Sequence, residues 1–125
     1  MRVLLVDDEE EFVSTLAERL SMRGIEAVWT TTSLEAIERA ESETFDLAVL
    51  DVKMPKIGGF ALKDKLQDKQ PDMKFIFLTG YGSEQDFKSI SAMLGADYYL
   101  VKPVDIEALI DKMKKILQVK ENKHE

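Results

Sequence analysis

No cysteine occurs among the 125 residues, which removes disulfides, thiolate zinc sites and thiol nucleophiles from consideration. Positive charge is also in deficit, since 17 lysines and arginines face 24 aspartates and glutamates for a formal net charge of −7. A surface of that sign repels phosphate backbones and anionic lipid, and no basic stripe offsets it, so direct contact with nucleic acid or membrane is not expected. No apolar run approaches the ~18 residues that a membrane span needs. The opening MRVLLVDDEE holds one arginine and a short apolar run before a cluster of acids, a pattern unlike a signal peptide. With no other address, the expected location is the cytoplasm. The one histidine, His124, lies in the charged stretch KENKHE with no partner placed by any element, so it is not expected to do chemistry.

What is present points to one ordinary domain. Hydrophobic residues make up 45% and charged ones 33%, the balance of a chain that buries a core and stays in water. Short apolar runs recur at RVLLV (2–6), EAVWT (26–30), LAVL (47–50), KFIFL (74–78) and DYYLV (97–101). Each is followed by helical spacing. Val13, Leu16, Ala17 and Leu20 predict a helix over 10–22 that Gly24 stops. Thr32 stands three residues before Glu35, a capping-box spacing, and opens a helix over 33–41 with Leu34, Ile37 and Ala40 on one face. A third helix is expected over 59–69 and a fourth over 84–94. The fifth carries a stripe of Ile106, Leu109, Ile110, Met113, Ile116 and Leu117 behind Asp105 as cap. Strands apolar throughout, alternating with helices, predict an α/β chain with a parallel sheet in a three-layer sandwich. The domain is expected over residues 1–119, with a solvated tail over 120–125.

In such sheets the carboxyl ends of the strands converge on one edge. There the apolar runs end in Asp7 and Asp8, Asp51, Thr79 and Lys102. The two leading acids alone fit the start of a helix, where the dipole favours negative charge. Beside Asp51 that account fails, because a cap needs one acid and not a convergent three. Three carboxylates together repel one another and lose hydration, so the cluster asks for a cation; hard oxygen ligands favour Mg²⁺. A carboxylate fixed beside that ion can attack phosphorus, and a hydroxyl and an ammonium can hold the phosphoryl oxygens. No G-x-x-x-x-G-K-[ST] loop and no Gly-rich dinucleotide turn follows the first strand, which argues against a nucleotide binder of related topology.

The stretches LLVDDE, DLAVLDVKMPKIGG, LTGYG and GADYYLVKP, in that order and at strand ends, closely resemble the receiver domains of two-component response regulators, the CheY-like superfamily. The resemblance covers essentially the whole chain. It implies a flavodoxin-like sandwich of five helices around five strands in the order 2-1-3-4-5. It implies that Asp51 is the phosphoacceptor, and that Asp8 and Asp51 ligate Mg²⁺ with the backbone carbonyl of Lys53, Asp7 acting mainly through water. Thr79 resembles the hydroxyl that closes on the phosphoryl group, Tyr99 the aromatic that turns inward with it, and Lys102-Pro103 the lysine before a cis proline. The implied partners are a sensor histidine kinase or phosphotransfer protein and a downstream effector or output domain; a dimer formed on phosphorylation is compatible with the reading. The switching surface would be the fourth helix, fifth strand and fifth helix. The protein would be a phosphoacceptor signalling domain and not a turnover enzyme. Lys53 and Tyr81 depart from the commonest pattern and are expected to tune the phosphoryl lifetime. The rival readings are a Mg²⁺-dependent phosphatase with an aspartyl intermediate, whose usual second acid is replaced here by Lys53, and a receiver-like binding module that works unphosphorylated.

Overall fold

A computed structural model describes residues 1–80, 85, 88, 91–92 and 98–118. The elements run β1 (Arg2–Val6), α1 (Glu10–Met22), β2 (Glu26–Thr30), α2 (Ser33–Ser42), β3 (Leu47–Asp51), α3 (Gly59–Lys69), β4 (Lys74–Thr79), β5 (Tyr99–Val101) and α4 (Ile106–Gln118). All strand pairs are parallel, and the sheet order is β2-β1-β3-β4-β5, as the resemblance implied. The helix α4 is the one expected as the fifth. The helix expected over 84–94 lies largely outside the described residues, of which Gln85, Lys88, Ser91 and Ala92 are helical. The expected tail over 120–125 lies outside them altogether.

Strand periodicity divides the core in two. Val3 and Leu5, Leu47 and Val49, and Ile76 and Leu78 face α1 and α4, where Val13, Leu16, Leu20, Leu109 and Met113 complete one cluster. Leu4 and Val6, Ala48 and Leu50, and Phe75 and Phe77 face α2 and α3, with Ala36, Leu62 and Leu66. Successive side chains point to opposite faces, so a strand apolar at every position feeds both layers. The two edge strands are only partly covered, and Trp29 on β2 stays 39% exposed.

Two helix ends are built as their residues dictate, and a third is closed by a backbone bond that any residue could make. After α1, Gly24 takes φ 79°, while the Gly24 amide donates to the Ser21 carbonyl and the Ile25 amide to the Leu20 carbonyl, both at 3.0 Å. This is the Schellman arrangement, in which a left-handed residue closes the last turn. Before α2, Thr32 Oγ1 accepts the Glu35 amide at 3.1 Å, as the capping-box spacing predicts. Before α4, the Asp105 carbonyl accepts the Leu109 amide at 3.0 Å. The apolar face of α2 differs from expectation: Leu34 is 55% exposed, and the buried stripe is Ser33, Ala36 and Ala40. The reason is polar, because Ser33 Oγ donates to the Ile57 carbonyl at 2.7 Å and thereby turns Leu34 outward.

The opposite, amino-terminal edge of the sheet is tied by Arg2. Its guanidinium pairs with Glu26 and Glu43 and lies 4.8 Å above the Phe45 ring, and its amide donates to Asp46 Oδ2 at 2.7 Å. Burial works against charge there, but the two carboxylates outweigh it: they hold the guanidinium above its ordinary range, while Arg2 pulls the Glu43 carboxyl below its own. None of the described helices is long and apolar enough to cross a membrane.

Candidate functional site

The carboxyl edge of the sheet gathers the residues singled out from the sequence. Asp51 is the last residue of β3 and Thr79 the last of β4, Asp7 follows β1 directly, and Lys102 follows β5. Parallel register places these ends side by side, with Asp51 opposite Leu78 and Thr79 opposite Val101. Carboxylate oxygens of Asp7, Asp8 and Asp51 lie within 4.8 Å of one another. Asp7 and Asp51 are buried, and Asp8 is exposed.

Each acid is aimed by the backbone. The Asp7 amide donates to the Thr30 carbonyl at 3.2 Å, which fixes the start of the β1–α1 loop against the end of β2. Asp7 Oδ1 accepts the Glu9 amide at 2.9 Å. Its Oδ2 is buried and pairs with the Lys102 ammonium, Nζ standing 2.7 Å away. Asp51 Oδ1 accepts the Lys53 amide at 3.2 Å, so the chain beyond the acid folds back over its carboxylate. The turn from β3 to α3 then closes when the Gly59 amide donates to the Val52 carbonyl at 2.9 Å.

The electrostatics follow from burial and crowding. Lost hydration first, then the charge of Asp7, push the Asp51 carboxyl up to about 6, against the opposing pull of Lys102. Burial likewise raises the Asp7 carboxyl, in spite of Lys102 and the Glu9 amide. Burial works against charge on Lys102 too, but Asp7 and Glu9 outweigh it and the ammonium sits above its ordinary range. Two carboxylates that resist ionisation at their native positions form a site built for a partner that compensates them.

A magnesium ion fits this donor set. Every available ligand is a hard oxygen, two of the acids are buried beside each other, and one carboxylate oxygen from each of the three lies within 4.8 Å of the others. Opposite the acids, Thr79 Oγ1 donates to Tyr99 Oη at 2.9 Å, and the Lys102–Pro103 bond is cis, as the resemblance implied.

A model of the response regulator receiver domain matches residues 3–114. The chain belongs to this family. Among curated receivers it is 34% identical over 117 residues to the alkaline phosphatase synthesis transcriptional regulatory protein PhoP of Bacillus subtilis, covering 94% of this chain and 48% of that protein. The chain therefore spans about half the length of such a relative. Its fold superposes with a TM-score of 0.84 on a CheY-like receiver domain protein of Methanospirillum hungatei, with 34% identity over 98% of this chain and 97% of that one. It superposes with a TM-score of 0.77 on the response regulator TrrA of Thermotoga maritima in complex with Mg(2+)-BeF, again at 34% identity, covering 93% and 98%.

The receiver's sequence left two features of this site unread. One is the set of groups around Lys102: besides Asp7, its Nζ reaches Glu9 Oε1 at 2.6 Å and lies 4.8 Å from the centre of the Phe12 ring. The run DDEEEF signals acids in this loop but not which of them turns inward. The other is the closeness of Gly59 to the end of β3, since a Cβ there would lie 2.5 Å from the Asp51 carbonyl oxygen. Tyr81 lies outside the described residues.

Proposed function

We propose that Asp51 is the phosphoacceptor of this receiver and that Asp7, Asp8 and Asp51, with the Lys53 carbonyl, hold its magnesium ion. The observation that carries the reading is the meeting of three carboxylates within 4.8 Å of one another with an ammonium 2.7 Å from Asp7 and 3.7 Å from Asp51. An Asp51 oxygen attacks the phosphorus of a histidine kinase phosphohistidine. The P–N bond breaks with its electron pair on the imidazole, and an acyl phosphate forms. Bound magnesium supplies neutralisation of the acids and of the phosphoryl oxygens. Lys102 offers its positive charge to the transferred group, and Thr79 offers its hydroxyl once that proton leaves Tyr99. Water later attacks phosphorus and returns carboxylate and inorganic phosphate, so the domain resets itself without being a turnover enzyme. The complex of the Thermotoga relative with magnesium and beryllium fluoride supports this assignment by chemistry of the same kind.

The hydrogen bond from Thr79 to Tyr99 links the acceptor pocket to β5, and through it to the face next to α4. Any rearrangement of Thr79 toward a phosphoryl oxygen breaks or redirects that bond and biases the surface offered to an effector or output domain. The exchange is expected in the cytoplasm. Intact mass after incubation with acetyl phosphate and Mg²⁺ tests the reading: one added phosphoryl group on the native chain, none on Asp51→Ala. An equal gain on both removes Asp51 from the role. On phosphorylated protein, Tyr81→Ala is expected to hasten phosphate loss by uncovering the acyl phosphate to water, and an unchanged decay rate refutes that shielding.

A further inference from the structure

Lys102 has more partners than phosphoryl transfer needs. Its side chain is 16% exposed, and its ammonium nitrogen lies 2.6 Å from Glu9, 2.7 Å from Asp7 and, more distantly, 3.7 Å from Asp51. The Phe12 ring adds an aromatic face 4.8 Å from Nζ. Asp7 and Asp51 belong to the carboxylate cluster, and Glu9 does not. Glu9 is a surface residue whose side chain is 64% exposed, yet it crosses 93 positions of sequence to accept a hydrogen bond from Lys102. Its backbone is fixed at the start of α1, where the Glu9 carbonyl accepts the Val13 amide at 3.0 Å, so its reach toward Lys102 is a defined one.

We propose that Glu9 is a positioning residue that competes with the phosphoryl group for Lys102 and so sets how readily this receiver is charged. The inference rests on the reading of Asp51 as acceptor. An ammonium has three hydrogens and a single charge. While Glu9 holds one hydrogen and offsets part of that charge, less of both is available to a group arriving at Asp51. Glu9 is solvated, so it gives Lys102 up at a small cost; it is a tunable brake. Phe12 accepts the ammonium on its ring face without adding negative charge, which keeps Lys102 in place when Glu9 lets go.

A thermodynamic cycle separates this from general electrostatics. The rate of phosphoryl uptake from acetyl phosphate with Mg²⁺ is followed by intact mass for the native chain, Glu9→Gln, Lys102→Met and the double variant. Glu10→Gln serves as a control that removes the same charge from the adjacent position. Glu9→Gln is expected to quicken uptake by about two- to fivefold, the worth of one exposed ion pair. Glu10→Gln leaves the rate unchanged, and Glu9→Gln has no effect once Lys102 is Met. Equal effects at positions 9 and 10, a Glu9→Gln effect that survives the loss of Lys102, or slower uptake in Glu9→Gln would each overturn the proposal. A native chain that takes up no phosphoryl group would overturn the assignment of Asp51 instead.

Discussion

Asp51 is held where its charge is unwelcome. It is 7% exposed, faces Asp7, and has its carboxyl pushed from 3.8 to about 6. A shift of that size corresponds to roughly 2–3 kcal/mol by which the ionised carboxylate weakens the metal-free fold at neutral pH. Asp51→Asn keeps the shape and an acceptor for the Lys53 amide and removes the charge. In EDTA at pH 7.5 the variant is expected to melt above the native chain by roughly 5–10 °C, and Mg²⁺ is expected to raise its Tm less than it raises that of the native chain. A lower Tm for the variant in EDTA would mean that the carboxylate is stabilised by its surroundings, against the direction argued from burial.

Elements matter here through their junctions. The β3–α3 turn brings the start of α3 so near the end of β3 that a Cβ on Gly59 would lie 2.5 Å from the Asp51 carbonyl oxygen and 2.9 Å from Val52 Cα. Both are backbone atoms and cannot rotate away. Gly59→Ala is expected to cost about 1–3 kcal/mol, in the manner of an overpacked core, and to slow phosphoryl uptake, because the displaced peptide is that of Asp51, the proposed acceptor. Gly24→Ala makes the matched comparison. Its Cβ meets nothing within 4 Å, so only the left-handed backbone resists, at about 1 kcal/mol; denaturant melts should show the loss while uptake by the folded protein is unchanged. The positions of β1 to β4, the stripe on α1, the caps at Thr32 and Gly24 and the converging acids were legible because each follows from local periodicity or from the topology of parallel strands. Leu34 was misplaced because one hydrogen bond from Ser33 decides how α2 rolls. Glu9 was invisible as a partner of Lys102 because that contact joins the start of α1 to the end of β5, and spacing along the chain carries no record of it.

At the scale of the whole molecule, two ends of one sheet respond to acid in opposite senses. At the carboxyl end the Asp51 carboxyl titrates near 6, against 3.8 when free, so between those values the native state binds more protons than the unfolded chain. Stability from this group therefore falls as pH rises through that window and stays low above it. At the amino end Arg2 pulls the Glu43 carboxyl below its ordinary 4.5. That contribution is present above 4.5 and is lost as pH falls through the lowered native value. Together they place the greatest stability of the metal-free receiver in acid, below the pH near 6 at which Asp51 ionises. On the proposed reading, Mg²⁺ and the proton compete for the same carboxylates, so the ion stabilises the native chain more as pH rises. Thermal melts from pH 4 to 8 should show Tm in EDTA falling toward about pH 6 and levelling above it, and the increment in Tm from Mg²⁺ growing over the same range. A Tm in EDTA that climbs steadily toward pH 8 would show that the acids of the site do not repel one another in the folded chain.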